Sequence, residues 1–123
     1  MGKNYLIDTN SLIDAQMQKL PGKGLAFLAD VINENFTISF ITYIEFLGYK
    51  NATQTTQDFI ALATVIEINK AIIDICITLR KEHRIKLPDA IIAATALSQN
   101  LIIIANNEKD FEKYQRIEIY KSI

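Results

Sequence analysis

Four acidic residues in this chain stand beside apolar runs, where a charge needs a reason. Asp8 closes "NYLID", Glu45 closes "TYIE", Asp89 follows the proline of "KLPDA", and Asp110 ends "NNEKD". Carboxylates brought to one place repel one another and raise each other's pKa, so an empty cluster is destabilising. A divalent cation removes that conflict. Hard oxygen ligands without histidine suit Mg²⁺ or Mn²⁺ rather than Zn²⁺. Such an ion lowers the pKa of a bound water and offsets charge on a phosphodiester undergoing attack.

Each acid also has a purely structural explanation. Asp8 can cap a helix starting near Asn10. "TYIE", Thr42 to Glu45, fits a capping box. Asp89 follows Pro88 at a helix start, where the dipole favours a carboxylate. Asp110 can be a solvated helix-end charge. What sets the four apart is their predicted placement together.

That placement depends on the elements around them. "NYLID" (4–8) reads as a first strand, and "SLIDAQMQK" begins a helix. "GLAFLADVINEN" (24–35) is a second helix with Leu25, Leu28, Ala29 and Ile32 on one stripe. "FTISF" (36–40) alternates as a strand, and "TYIEFLGYK" (42–50) is a short helix. "TQTTQDFIALATV" (53–65) reads as a helix, followed by "IEIN" as a brief strand or extended turn. "KAIIDICITLRKEH" (70–83) is a helix with Ile72, Ile75, Cys76 and Leu79 on its apolar face. "PDAIIAATALSQN" (88–100) is another, closed by Asn100. "LIIIA" (101–105) has the continuous apolar character of a strand buried on both faces. "NEKDFEKY" reads as a short helix or turn, and "IEIY" (117–120) as the last strand.

Strands alternating with helices predict an α/β chain with a mostly parallel sheet. In such sheets ligands bind beyond the carboxyl ends of the strands. Asp8, Glu45 and Asp110 then fall at that edge. Asp89 joins them, because helix 88–100 runs back against the strand it feeds.

The totals fit one domain spanning 1–123. Half of the 123 residues are hydrophobic, enough for a core, and the net charge is −1. The dense basic run is "RKEHRIK", where Arg80, Lys81, Arg84 and Lys86 could hold phosphates by charge. The same residues also suit a helix C-terminus. The single Cys76 reads as a core residue and fits a reducing, cytoplasmic compartment. No run approaches the about 18 apolar residues of a membrane span, and "MGKNYLIDTN" carries no signal-peptide run.

Other chemistry is thin. His83 is the only histidine, so no zinc site can be completed. "PGKG" (21–24) lacks phosphate-loop spacing and reads as a turn. Tyr43, beside Glu45, could stack a base, although packing explains it as well. A phosphoaspartate receiver would need further acids by the first strand and a late lysine, which "NYLIDTN" and "LIIIANN" lack.

"LIDTN", "TYIE", "LPDAIIAATAL" and "NNEKDF" resemble, in order and spacing, the motifs of the PIN-domain family, especially VapC-type toxins of bacterial toxin–antitoxin pairs. The resemblance covers nearly the whole chain and rests on the ordered set rather than on any one motif. It implies a three-layer α/β/α fold around a central, mostly parallel sheet of four to five strands. It implies divalent-metal-dependent endonucleolysis of RNA, a transfer RNA being one candidate substrate. Asp8, Glu45 and Asp89 match the family's metal-holding acids. Thr9 and Asn10 match the polar residues after the first acid, and Thr42 the hydroxyl residue before the glutamate.

The fourth motif departs from the pattern. Ala105 stands where the family often has threonine. Asn107, a neutral residue, and Asp110 occupy the positions that could contribute through water. The partners implied are an antitoxin that covers the site and a second copy of the chain, the latter expected through helices in 24–65. The competing reading is a PIN-like module that binds RNA or protein without cutting.

Overall fold

A computed structural model of the protein describes residues 4–16, 22–48, 52–105 and 119–121. Among the described residues, five strands and six helices follow one another as β1 (Tyr5–Ile7), α1 (Thr9–Gln16), α2 (Gly22–Asn35), β2 (Thr37–Ser39), α3 (Phe40–Leu47), α4 (Gln54–Ile60), β3 (Thr64–Ile66), α5 (Lys70–Glu82), α6 (Leu87–Gln99), β4 (Ile102–Ala105) and β5 (Ile119–Lys121). The ladders β1–β4, β4–β5 and β2–β3 are all parallel. They form a three-stranded and a two-stranded sheet. β2 lies against β1, so the strands follow the order β3-β2-β1-β4-β5 across the molecule.

Side chains on a strand alternate between faces, and here both faces are buried. Leu6 and Ile103 point into a core with Ile72, Cys76 and Leu79 of α5 and the alanine-rich α6. Their neighbours Ile7 and Ile104 point into a second core with Leu12, Leu28, Phe46 and Ile60. The result is the three-layer α/β/α arrangement expected from the sequence. Ala90, Ala93 and Ala94 of α6 are fully buried. Their small side chains let that helix sit close to its neighbours.

Three local expectations need correction. The stripe on α2 is turned: Leu28 and Val31 are buried, while Leu25 and Ala29 face outward. Helix 53–65 stops at Ile60. Turn bonds from Leu62 N–H to Phe59 O (3.1 Å) and Ala63 N–H to Ile60 O (3.0 Å) end it. The β-branched run Thr64–Ile66 then pairs with β2 as a strand.

The third correction concerns α3, which begins at Phe40 rather than Thr42. Ser39, the last residue of β2, accepts from Ile41 N–H and is the N-cap. Gly48 closes this helix by donating to Ile44 O at 2.8 Å, and a Cβ there would stand 2.9 Å from that oxygen. Asn100 ends α6 in the left-handed conformation at φ 55°, as its sequence position suggested. "NEKDFEKY" lies outside the described residues.

Candidate active site at the strand ends

β1 ends at Ile7 and hands the chain directly to α1, which puts Asp8 at the junction. Its backbone N–H donates to Ile104 O at 3.1 Å, extending the ladder with β4 by one bond. Its carboxylate Oδ1 accepts from Ser11 N–H at 2.8 Å. Asp8 is thus the N-cap of α1, and the structural explanation of this acid holds. It is only 4% exposed. A charge taken so far from water needs hydrogen bonds or a cation to be tolerable. Ser11 adds a second tie, its hydroxyl donating to Ile104 O at 3.3 Å. That serine was not singled out from the sequence. Its spacing after Asp8 was the available signal.

Thr9 links this junction to α3. Its hydroxyl donates to Glu45 Oε1 at 2.6 Å and lies 3.0 Å from the Thr42 hydroxyl. Thr42 and Glu45 are three residues apart within α3, so they share the face that meets α1. Because Ser39 holds the cap, Thr42 and Glu45 do not form a capping box. Thr42 is fully buried and Glu45 partly so. Asn10, the next residue on α1, is exposed.

Asp89 sits in the first turn of α6 just after Pro88, and the N-cap residue Lys86 makes no side-chain cap bond. It is half-buried, and α6 packs against α3 and β2. Side-chain hydrogen bonds therefore join Thr9, Thr42 and Glu45, with Asp8 next to Thr9 in the chain, while Asp89 lies on α6, which packs against α3. Among the described residues no three His, Cys, Asp or Glu side chains are grouped closely enough to hold one ion. Ala105 ends β4 fully buried. Asn107 and Asp110 lie outside the described residues.

The donors present are carboxylates and hydroxyls, which fits a hard divalent cation and not a thiophilic one. His83 is the C-cap of α5. Cys76 is buried on the core face of α5; burial pushes its thiol up and Arg80 opposes this, so it is a packing residue rather than a nucleophile at neutral pH.

The basic run divides between two places. Arg80 and Lys81 occupy the last turn of α5, as the helix dipole favours. Arg84 and Lys86 lie in the connection to α6. With Arg80, His83 and Ile85 they surround a depression of about 550 Å³ at the head of α6, where Asp89 begins its turn.

Parallel strands between two helical layers, with Asp8 where β1 ends, define the class of α/β/α fold. This chain belongs to the PIN domain family, whose model matches residues 5–117. It is similar to a chain of a toxin–antitoxin complex from Klebsiella pneumoniae, with 31% identity, 98% of each chain covered and a TM-score of 0.80. It shares its fold with a chain of VapBC2 from Rickettsia felis bound to a promoter DNA fragment, at 21% identity, 95% and 97% coverage and a TM-score of 0.79. The same holds for VapBC-1 from nontypeable Haemophilus influenzae, at 24% identity, 96% and 97% coverage and a TM-score of 0.78. No curated protein sequence matches the chain closely enough to count as a relative.

Proposed function

We propose that this chain is a VapC-type toxin of a toxin–antitoxin pair, and that it hydrolyses RNA phosphodiester bonds with Mg²⁺ or Mn²⁺. Membership of the PIN family and likeness to a chain from a toxin–antitoxin complex support the class. The observation that carries the chemistry is the contiguous strand-end cluster, in which Thr9 holds Glu45 Oε1 at 2.6 Å one residue away from the buried Asp8. Asp8, Glu45 and Asp89 are the residues that would hold the ion, with Asn107 and Asp110 contributing through water. When bound, the ion supplies a more acidic water and offsets phosphate charge.

The chain's own residues supply the rest. Thr9 fixes the Glu45 carboxylate, and Ser11 N–H fixes that of Asp8. Arg80, Lys81, Arg84 and Lys86 attract the RNA backbone, with Arg84 and Lys86 at the head of α6 nearest Asp89 in the chain. A cognate antitoxin is the protein partner. Among the described residues no helix is long and apolar enough to cross a membrane, and the compartment proposed is the cytoplasm.

The test is cleavage of RNA by purified chain. Cleavage is expected with Mg²⁺ or Mn²⁺ and is abolished by EDTA; equal cleavage in EDTA overturns the proposal. One observation favours a second reading, a PIN-like module that binds without cutting: no three potential ligands among the described residues are grouped as an ion requires. Tight RNA binding with no cleavage at any Mg²⁺ or Mn²⁺ concentration would establish that reading instead.

A further inference from the structure

Helix α5 buries one stripe and leaves another apolar stripe in water. Ile73 is 39% exposed and Ile77, one turn on, is 48% exposed. Ile68 before the helix and Leu87 after it are 55% and 52% exposed. These four side chains rim a groove of about 540 Å³ floored by Ile72, Cys76 and Ile91. Arg80 and Lys81 line its remaining side, and among the described residues no acid does. The helix sets this order: Ile73, Ile77 and then Arg80 and Lys81 follow one another at intervals of three or four residues on one face.

We propose that this groove binds a medium-chain fatty carboxylate, its alkyl chain lying along Ile73 and Ile77 and its carboxylate meeting Arg80 and Lys81. Size and charge choose the occupant. A groove of about 540 Å³ is the size of a small-molecule site. Such sites run from roughly 300 to roughly 1,000 Å³ and are apolar with a few placed polar groups. A stable protein contact takes about 20–30 residues a side, and the apolar part of this face is far smaller. From Ile73 to Lys81 the helix advances about 12 Å, at about 1.5 Å per residue. An extended decanoate chain has about that length.

The cations sit at one end of the groove only. An alkane gains nothing from them, and a nucleic acid gains nothing from the isoleucines. A carboxylate on an alkyl chain uses both, and its chain takes apolar surface out of water. Arg80 Nη1 donates to Ile85 O at 3.2 Å, which orients the guanidinium, and the planar fork has further donors for a carboxylate. The acids of α5, Asp74 and Glu82, are outside the lining, and Asp74 accepts from Lys70 at 2.6 Å. This site stands independently of the nuclease reading.

The experiment is titration of the full chain with decanoate below its micelle concentration, read by calorimetry and by amide NMR shifts. Binding is expected with a dissociation constant below about 1 mM, and the shifts should centre on α5 and the start of α6. Each carbon removed from the ligand should weaken binding by about two- to fourfold. Decanol, with the same chain and no charge, should bind about fivefold more weakly or more. Lys81→Gln, on an exposed side chain, should weaken decanoate by about two- to fivefold and leave decanol unchanged. Ile77→Gln, also on an exposed site, should weaken both ligands. No decanoate binding by about 1 mM, decanol as tight as decanoate, or a decanoate affinity indifferent to either variant overturns the proposal.

Discussion

At the strand ends this protein buries oxygen atoms, and along α5 it leaves isoleucines in water. Asp8, Thr9, Ser11, Ser39 and Thr42 are all buried, whereas Ile68, Ile73, Ile77 and Leu87 are not. The two regions depart from the ordinary inside–outside pattern in opposite directions. The first compensates internally: among the described residues no buried side-chain nitrogen or oxygen lacks a partner. The second has no such internal compensation, since an exposed isoleucine is relieved only by covering it. A polar cluster satisfied by its own contacts can stay buried without a partner from outside. An apolar stripe on a finished helix stays in contact with water at a free-energy cost.

The largest expected effect breaks the first region's function without touching its fold. Asp89→Asn keeps the shape of the side chain and removes the charge an ion needs. Toxicity on expression in a bacterial host should disappear, and metal-dependent RNA cleavage should fall by roughly 100-fold or more, a loss of about 2.7 kcal/mol or more in transition-state stabilisation. Thermal unfolding should hardly change. Growth arrest by a folded Asp89→Asn protein would remove Asp89 from the proposed ligands.

A smaller effect tests whether the cluster really is internally compensated. Thr9→Val removes the hydroxyl that reaches both Glu45 and Thr42. Deleting one member leaves the fully buried Thr42 hydroxyl short of a partner, at a cost of roughly 1–3 kcal/mol. Chemical denaturation would measure it through a lower midpoint at unchanged slope. A loss under a few tenths of a kcal/mol would show that water or a rotated side chain replaces Thr9.

The sequence made the α5 and α6 helices and the β4 strand readable because their periodicity is long and unambiguous. Ile72, Cys76 and Leu79 are buried on α5 as their spacing predicts, and "LIIIA" is buried on both sides. The misreadings arose where two local signals compete. On α2, stripes through Leu25 and Ala29 or through Phe27 and Val31 both contain Leu28, and only the packing partner decides between them. At residues 61–63, Ala-Leu-Ala favours helix locally, yet Thr64 N–H bonds Phe36 O at 2.7 Å and draws the chain into the sheet.

That Asp8 and Glu45 come close together was legible, but not their local bonding. Thr42 and Glu45 have capping-box spacing, and Ser39 won the cap because the strand delivers it to the helix start. Ser11 and Thr9 look like ordinary helix-start residues in sequence. Their roles come from α3 and β4, which are distant in the chain.

The smallest effect separates cap from ligand at Asp8, whose carboxylate does cap α1. Losing that bond in Asp8→Ala should cost roughly 0.5–2 kcal/mol in metal-free buffer. If the same carboxylate also helps hold an ion, the loss is partly offset, because removing one of several clustered acids relieves repulsion. Metal then discriminates. An ion that binds only the native state, at about ten times its dissociation constant, adds roughly 1.4 kcal/mol. For a domain of this size that is a rise in melting temperature of roughly 5 °C. Wild type should show that rise with Mg²⁺ or Mn²⁺, and Asp8→Ala should show much less of it. Ionic strength must be held constant, since general screening also moves stability. A wild-type melting temperature indifferent to both ions at tens of millimolar (order of magnitude for a weak site), together with a clear loss in Asp8→Ala, would leave Asp8 a helix cap and nothing more. The strand-end cluster would then be scaffold, and the contrast with α5 would be one between a satisfied interior and an unsatisfied surface.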